Sequence, residues 1–181
     1  NDELDSIGRT DRAYLAYAAA VLLTRVQAAL DAYAAAPPDG DVPADFPGLS
    51  VDSEVGPVRV YGPGADEVEH ASDALSVDLG GNDTWRGRTG AGTAGISLHV
   101  DLGGDDDYGS DEPAAIACGL AGIGVVIDLA GDDAYRVVES GLGCGWHGVG
   151  LLFDAGGDDV YRVDRAWGEG ASWRPDTDPH P

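Results

Sequence analysis

The chain has 181 residues, of which 43% are hydrophobic, 24% charged and 28 are glycine; its formal net charge is −23. That apolar share excludes an intrinsically disordered chain, and the length suits one domain with an appendage. The 33 acidic residues face 10 bases, all of them Arg, so phosphate backbones and anionic lipid are repelled, nucleic acid is excluded as a main partner, and cations are the natural ligands.

The opening Asn1-Asp2-Glu3, without Met, leads us to expect a processed product or a fragment. Residues 1–36 form a first unit, with a helix predicted over 10–36. Thr10 is its N-cap candidate, Ala and Leu fill its body, and Pro37-Pro38 ends it. Leu15, Ala19, Leu22, Val26 and Leu30 make an apolar stripe, which Tyr14, Tyr17 and Val21 are expected to widen. The longest apolar run, Tyr14 to Leu23, stops at Thr24-Arg25, so no transmembrane segment is expected. Residues 37–50 read as a Pro/Gly linker, 51–165 as a repeat domain and 166–181 as a tail.

Within 51–165 four segments align without gaps: Asp78-Leu-Gly-Gly-Asn-Asp-Thr-Trp85, Asp101-Leu-Gly-Gly-Asp-Asp-Asp-Tyr108, Asp128-Leu-Ala-Gly-Asp-Asp-Ala-Tyr135 and Asp154-Ala-Gly-Gly-Asp-Asp-Val-Tyr161. A degenerate copy, Tyr61-Gly-Pro-Gly-Ala-Asp-Glu-Val68, precedes them. A second block, beginning Ala91-Gly, Cys118-Gly and Cys144-Gly, recurs in phase with three of the turns. The fold class is therefore mainly β: a parallel β-solenoid of about five irregular coils preceded by one long N-terminal helix. Before each turn the pattern alternates, and Leu98, Val100 and Leu102, Val125, Ile127 and Leu129, and Leu151, Phe153 and Ala155 are read as inward sites. Trp85, Tyr108, Tyr135 and Tyr161 point in from a second strand. Val126 and Leu152 then take the outward phase, where the N-terminal helix or another subunit covers them.

Coils stacked about 4.8 Å apart align the aspartates in columns. Two carboxylates about 5 Å apart repel by roughly 1–3 kcal/mol at effective dielectrics of about 20–80, so something must neutralise them. Arg86, Arg136 and Arg162 recur just after the aromatic and are one source, although Gly109 breaks their series. A divalent cation between turns fits better, since Ca²⁺ takes six to eight oxygens and the turns offer carboxylates and carbonyls. The bland alternative is that Asp and Asn close turns by local hydrogen bonds.

Gly62-Pro-Gly-Ala-Asp-Glu-Val68 and Gly80-Gly-Asn-Asp-Thr-Trp85 resemble the nonapeptide of the calcium-binding repeats-in-toxin (RTX) β-rolls. The resemblance implies Ca²⁺ as cofactor, bound by the sixth-position Asp66, Asp83, Asp106, Asp133 and Asp159. The first-position Asp78, Asp101, Asp128 and Asp154 complete the expected metal residues, the first and third positions supplying carbonyls. Two departures stand out. The turn recurs every 17 to 27 residues rather than every nine, and position 1 is Asp in four copies.

Cys118 and Cys144 share one phase of adjacent coils, which suits a disulfide or a buried thiol pair; Cys144-Gly-Trp-His147 also brings thiol and imidazole together. Residues that break the repeat are His99, Asp107, Glu112, Glu139, His147 and Glu169, with no shared spacing, so no catalytic group and no enzyme activity is expected. The expectation is a calcium-stabilised structural or adhesive solenoid, secreted or at the cell surface. It self-associates, in a filament or other assembly, or meets a surface partner. The alternative is a carbohydrate-active β-helix enzyme, a polysaccharide lyase or hydrolase.

Overall fold

The computed structural model describes residues 12–35, 42–69 and 73–169. The single helix among them, α1 (Arg12–Ala35), is followed by fourteen strands. Thr10, the Pro37-Pro38 stop, and Ala171 onward in the tail lie outside the described residues.

The repeats form a parallel solenoid of about four turns with three sides. The first side stacks β2 (Gly56–Val60), β4 (Leu75–Asp78), β7 (Ile96–Asp101), β10 (Ile123–Asp128) and β13 (Val149–Asp154). The second stacks β3 (Glu67–Glu69), β5 (Thr84–Arg86), β8 (Asp107–Ser110), β11 (Ala134–Gly141) and β14 (Val160–Glu169). The third consists of the two-residue strands β6 (Gly92–Thr93), β9 (Gly119–Leu120) and β12 (Gly145–Trp146). The register matches the sequence repeat position for position: Asp78 beside Asp101, Asp101 beside Asp128, Asp128 beside Asp154, and Trp85, Tyr108, Tyr135 and Tyr161 in file. At the N-terminal end β1 (Leu49–Ser53) pairs antiparallel with β2, so a hairpin occupies that edge of the first sheet.

The Gly-rich turns are needed because successive turns touch backbone to backbone. A Cβ on Gly104, Gly131 or Gly157, all at φ between 147° and 149°, would collide with the carbonyl of Gly81, Gly104 or Gly131 in the turn beneath.

The faces of the first sheet are the reverse of those expected. Val126 and Leu152 lie inside the coil with Trp85, Tyr108, Tyr135 and Val137. Leu98, Val100, Val125 and Ile127, with Leu151 and Phe153, form the outer face, and α1 covers it. Parallel strands buried on both faces carry apolar residues at both phases, so alternation alone cannot name the inner one. The helix stripe Leu15, Ala19, Leu22, Val26 and Leu30 packs there as expected. Tyr14 and Tyr17 do not widen it; they are 76% and 70% exposed, and Val21 is also exposed. Tyr17 and Val21 stand about 200° and 240° round the helix from Leu15, away from the sheet. By length and composition alone, Tyr14–Ala32 is also long and apolar enough to cross a membrane.

Candidate metal centre

The aspartates gather at the corner between the first and second sheets. Each first-position Asp ends a strand of the first sheet with its side chain turned inward: Asp78, Asp101 and Asp128 are 0% exposed. Each sixth-position Asp closes the turn just before the second sheet. The fold groups them into four clusters: Asp66, Asp78 and Asp83; Asp83, Asp101 and Asp106; Asp106, Asp128 and Asp133; and Asp133, Asp154 and Asp159. In each cluster one oxygen per carboxylate lies within 4.8 Å of the others, a set able to hold a metal ion. All nine residues named from the sequence are brought together, and Asp83, Asp106 and Asp133 each belong to two clusters.

One oxygen of each of four sixth-position carboxylates is committed to structure. Asp83 Oδ1 accepts the Asp66 N–H at 2.6 Å, Asp106 Oδ1 the Asp83 N–H at 2.6 Å, Asp133 Oδ1 the Asp106 N–H at 2.8 Å and Asp159 Oδ1 the Asp133 N–H at 3.1 Å. These sixth-position bonds run between coils rather than within one turn. An exposed ladder beside them works alike: Asn82, Asp105 and Asp132 accept the N–H of Asp105, Asp132 and Asp158. Among the first-position residues, Asp78, Asp101 and Asp154 accept the N–H two residues on through Oδ1. Tyr108, Tyr135 and Tyr161 donate to Oδ2 of Asp101, Asp128 and Asp154 at 2.7, 2.8 and 2.5 Å. The tyrosine column that fills the core therefore also aims the carboxylates, a coupling the sequence reading did not contain.

What remains is unsatisfied. Asp78 Oδ2, Asp83 Oδ2, Asp106 Oδ2, Asp128 Oδ1 and Asp133 Oδ2 are buried and accept no N–H or O–H bond. Burial pushes the Asp78 carboxyl up to about 9, with repulsion from Asp101 and Asp83 adding to it and the Gly80 N–H opposing it. Burial likewise lifts Asp128 to about 9, Asp106 to about 8 and Asp133 to about 6, and raises Asp83. Without an ion Asp78, Asp128 and Asp106 hold protons at neutral pH, which removes part of the charge the site must balance. A cation is the other way to balance it.

Two expected contributors do not reach the site. Arg86 forks onto Asp107, while Arg136 and Arg162 turn to Asp164, all on the outer face of the second sheet. They follow the aromatic in a strand, so they point outward where it points in. The main-chain carbonyls of Asp78, Asp101 and Asp128 accept the N–H of Leu102, Leu129 and Ala155 in the next coil, so side chains dominate the available donors.

His99, one of the repeat-breaking residues, is buried inside the coil, its Nδ1 2.9 Å from Ser76 Oγ and its Nε2 3.3 Å from the Tyr108 hydroxyl. Burial holds its pKa down to about 4, against the pull of Asp101. Tyr108 donates to Asp101, so neutral His99 donates from Nε2 and accepts from Ser76 at Nδ1. Asp107 and Glu112 pair with Arg86 and Arg88 beside a cleft of about 490 Å³ on the second sheet, also lined by Glu69, Asp111 and Arg136. Cys118 and Cys144 form a disulfide, Cα atoms 4.6 Å apart, so no thiol is available to His147. Comparison of the chain with family models, with curated proteins and with solved structures finds no match.

Proposed function

We propose that the protein is a Ca²⁺-stabilised β-solenoid with a structural or adhesive role outside the cell, not an enzyme. The observation that carries this is the row of four three-aspartate clusters containing buried oxygens that no donor satisfies. Four divalent ions bring eight positive charges to nine carboxylates, a near balance that monovalent ions cannot reach. An all-oxygen donor set without His or Cys disfavours Zn²⁺, and irregular carboxylate clusters suit Ca²⁺ better than the strict octahedron of Mg²⁺. The disulfide supports an oxidising compartment, hence secretion or the cell surface. Its partner is a second copy of itself or a surface component.

Calorimetric titration of chelator-stripped protein tests this reading: Ca²⁺ binding with a stoichiometry approaching four, and a rise in melting temperature of many degrees, are expected. Unchanged melting after verified metal removal and Ca²⁺ addition rejects it. A second reading, a carbohydrate-active enzyme, draws on the cleft where Glu69, Asp107, Asp111 and Glu112 stand among arginines. Turnover of acidic or neutral polysaccharides that is lost in Asp111→Asn would establish it instead.

A further inference from the structure

The four clusters differ in what the chain leaves unsatisfied. The first and second hold two buried oxygens without a donor each, the fourth holds one, and the third (Asp106, Asp128, Asp133) holds three. The outer clusters also include Asp66 and Asp159, which are only partly buried, whereas every carboxylate of the third is buried. The difference begins in the sequence. Three copies carry Gly at the third position, and Gly80, Gly103 and Gly156 donate N–H to Oδ1 of Asp78, Asp101 and Asp154, the first two at φ of 119° and 142° and Gly156 outside that region. The remaining copy reads Asp128-Leu-Ala-Gly131, and its Ala130 makes no such bond. Asp128 Oδ1 is left with no partner, although Asp128 is 0% exposed and Tyr135 fixes its other oxygen. The Cys118–Cys144 disulfide links the segment that follows β8 to the segment that follows β11.

Resting on the cation reading above, we propose that Asp106, Asp128 and Asp133 form the primary divalent-cation site, filled before the other three, and that it clamps the coil of Asp106 to the coil of Asp128. Asp128 is its determining ligand, because its free oxygen has no competing donor. Ala130 is the positioning residue that keeps it free. The remaining ions then add outward along the row, each through a shared carboxylate, Asp83, Asp106 or Asp133, already held by its neighbour.

Stepwise Ca²⁺ binding to the full chain, with bound ions counted by native mass spectrometry and affinities taken from calorimetry, decides the order. Asp128→Asn keeps the shape and the Tyr135 contact but removes the charge; it should abolish the tightest step. Asp78→Asn, in the first cluster, should leave the tightest step intact and remove a weaker one. Ala130→Gly, which restores the glycine of the other three copies, should weaken the first step by about tenfold, the scale of an outer-shell change, and it keeps the test decisive if Asp128→Asn fails to fold. Equal weakening of the first step by Asp78→Asn and Asp128→Asn, or an unaltered first step in Ala130→Gly, overturns the proposal. Absence of any Ca²⁺ binding to the unmutated chain is a different result, since it removes the cation reading itself.

Discussion

The Tyr135 hydroxyl shows how one atom ties the core to the candidate site, because the ring stacks between Tyr108 and Tyr161 while the oxygen bonds Asp128. Tyr135→Phe keeps the stack and orphans a second oxygen of a fully buried carboxyl. It should cost about 1–3 kcal/mol in the ion-free protein, read from denaturant melts; an unchanged midpoint contradicts the assigned bond. The buried carboxyls also set the sign of the pH response. Asp78, Asp106, Asp128 and Asp133 bind protons more tightly folded than at their ordinary value of 3.8. The folded ion-free chain therefore holds the extra protons, and these groups stabilise it fully below about 4. Their contribution is lost as pH rises through about 6 to 9. His99, held at about 4, acts oppositely, but only as pH falls from 6.5 towards that value. Ca²⁺ needs the ionised carboxylates, so its stabilising effect should be smallest near pH 5 and largest above pH 7. An ion-free melting temperature that climbs between about pH 6 and 9 would refute the assignment.

At the scale of elements, the helix and the first sheet carry the clearest mechanical prediction. Leu22 faces the outer side of that sheet and Tyr17 faces solvent, so Leu22→Asp should detach α1 and Tyr17→Asp should leave it seated. Limited proteolysis and binding of a hydrophobic dye to the uncovered Leu98, Val125 and Phe153 face would report detachment; equal responses of the two variants would place the helix elsewhere. The helix, the coil register and the nine clustered aspartates were legible because in a solenoid the sequence period is the stacking period, so residues in phase become neighbours. The disulfide was legible on the same ground, as one of the alternatives. The inner face of the first sheet was not. Val125 and Val126 are both apolar, and only the partners decide which is core: tyrosine rings on one side, α1 on the other. One signal pointed the right way. Asp101 and Asp128 share the phase of His99 and Val126, and carboxylates that bond inward tyrosines must themselves face in. The third sheet escaped because its strands have two residues each, set off by Ala94, Ala121 and His147 at φ near 50°, a conformation no residue pattern announces in Ala.

For the whole molecule, the two ends of the solenoid are unlike. The β1–β2 hairpin occupies the N-terminal edge of the first sheet, and α1 lies along a face rather than closing an end as a cap would. At the C-terminal end β13, β14 and β12 are the last strands of their sheets among the described residues. There Val160 is 61% exposed, and the inward-pointing Tyr161 and Val163 are each 37% exposed, against 0% for the equivalent Tyr108 and Val137 within the stack. Such an edge invites pairing with another strand. Head-to-tail stacking would have to continue a parallel column through an antiparallel hairpin. A two-fold contact, C-terminal coil against C-terminal coil, avoids that conflict and closes as a dimer rather than a fibre. Asp154, Asp158 and Asp159 face each other across such a contact and repel, so divalent ions should promote it and chelation should reverse it. Sedimentation equilibrium at tens of micromolar protein in millimolar Ca²⁺ should give a dimer, and Val163→Glu should return it to monomer without lowering the Ca²⁺ stoichiometry. A monomer under those conditions means that the chain's own remaining residues, or a different partner, cover this end; a fibre would mean that the hairpin yields and the column runs on.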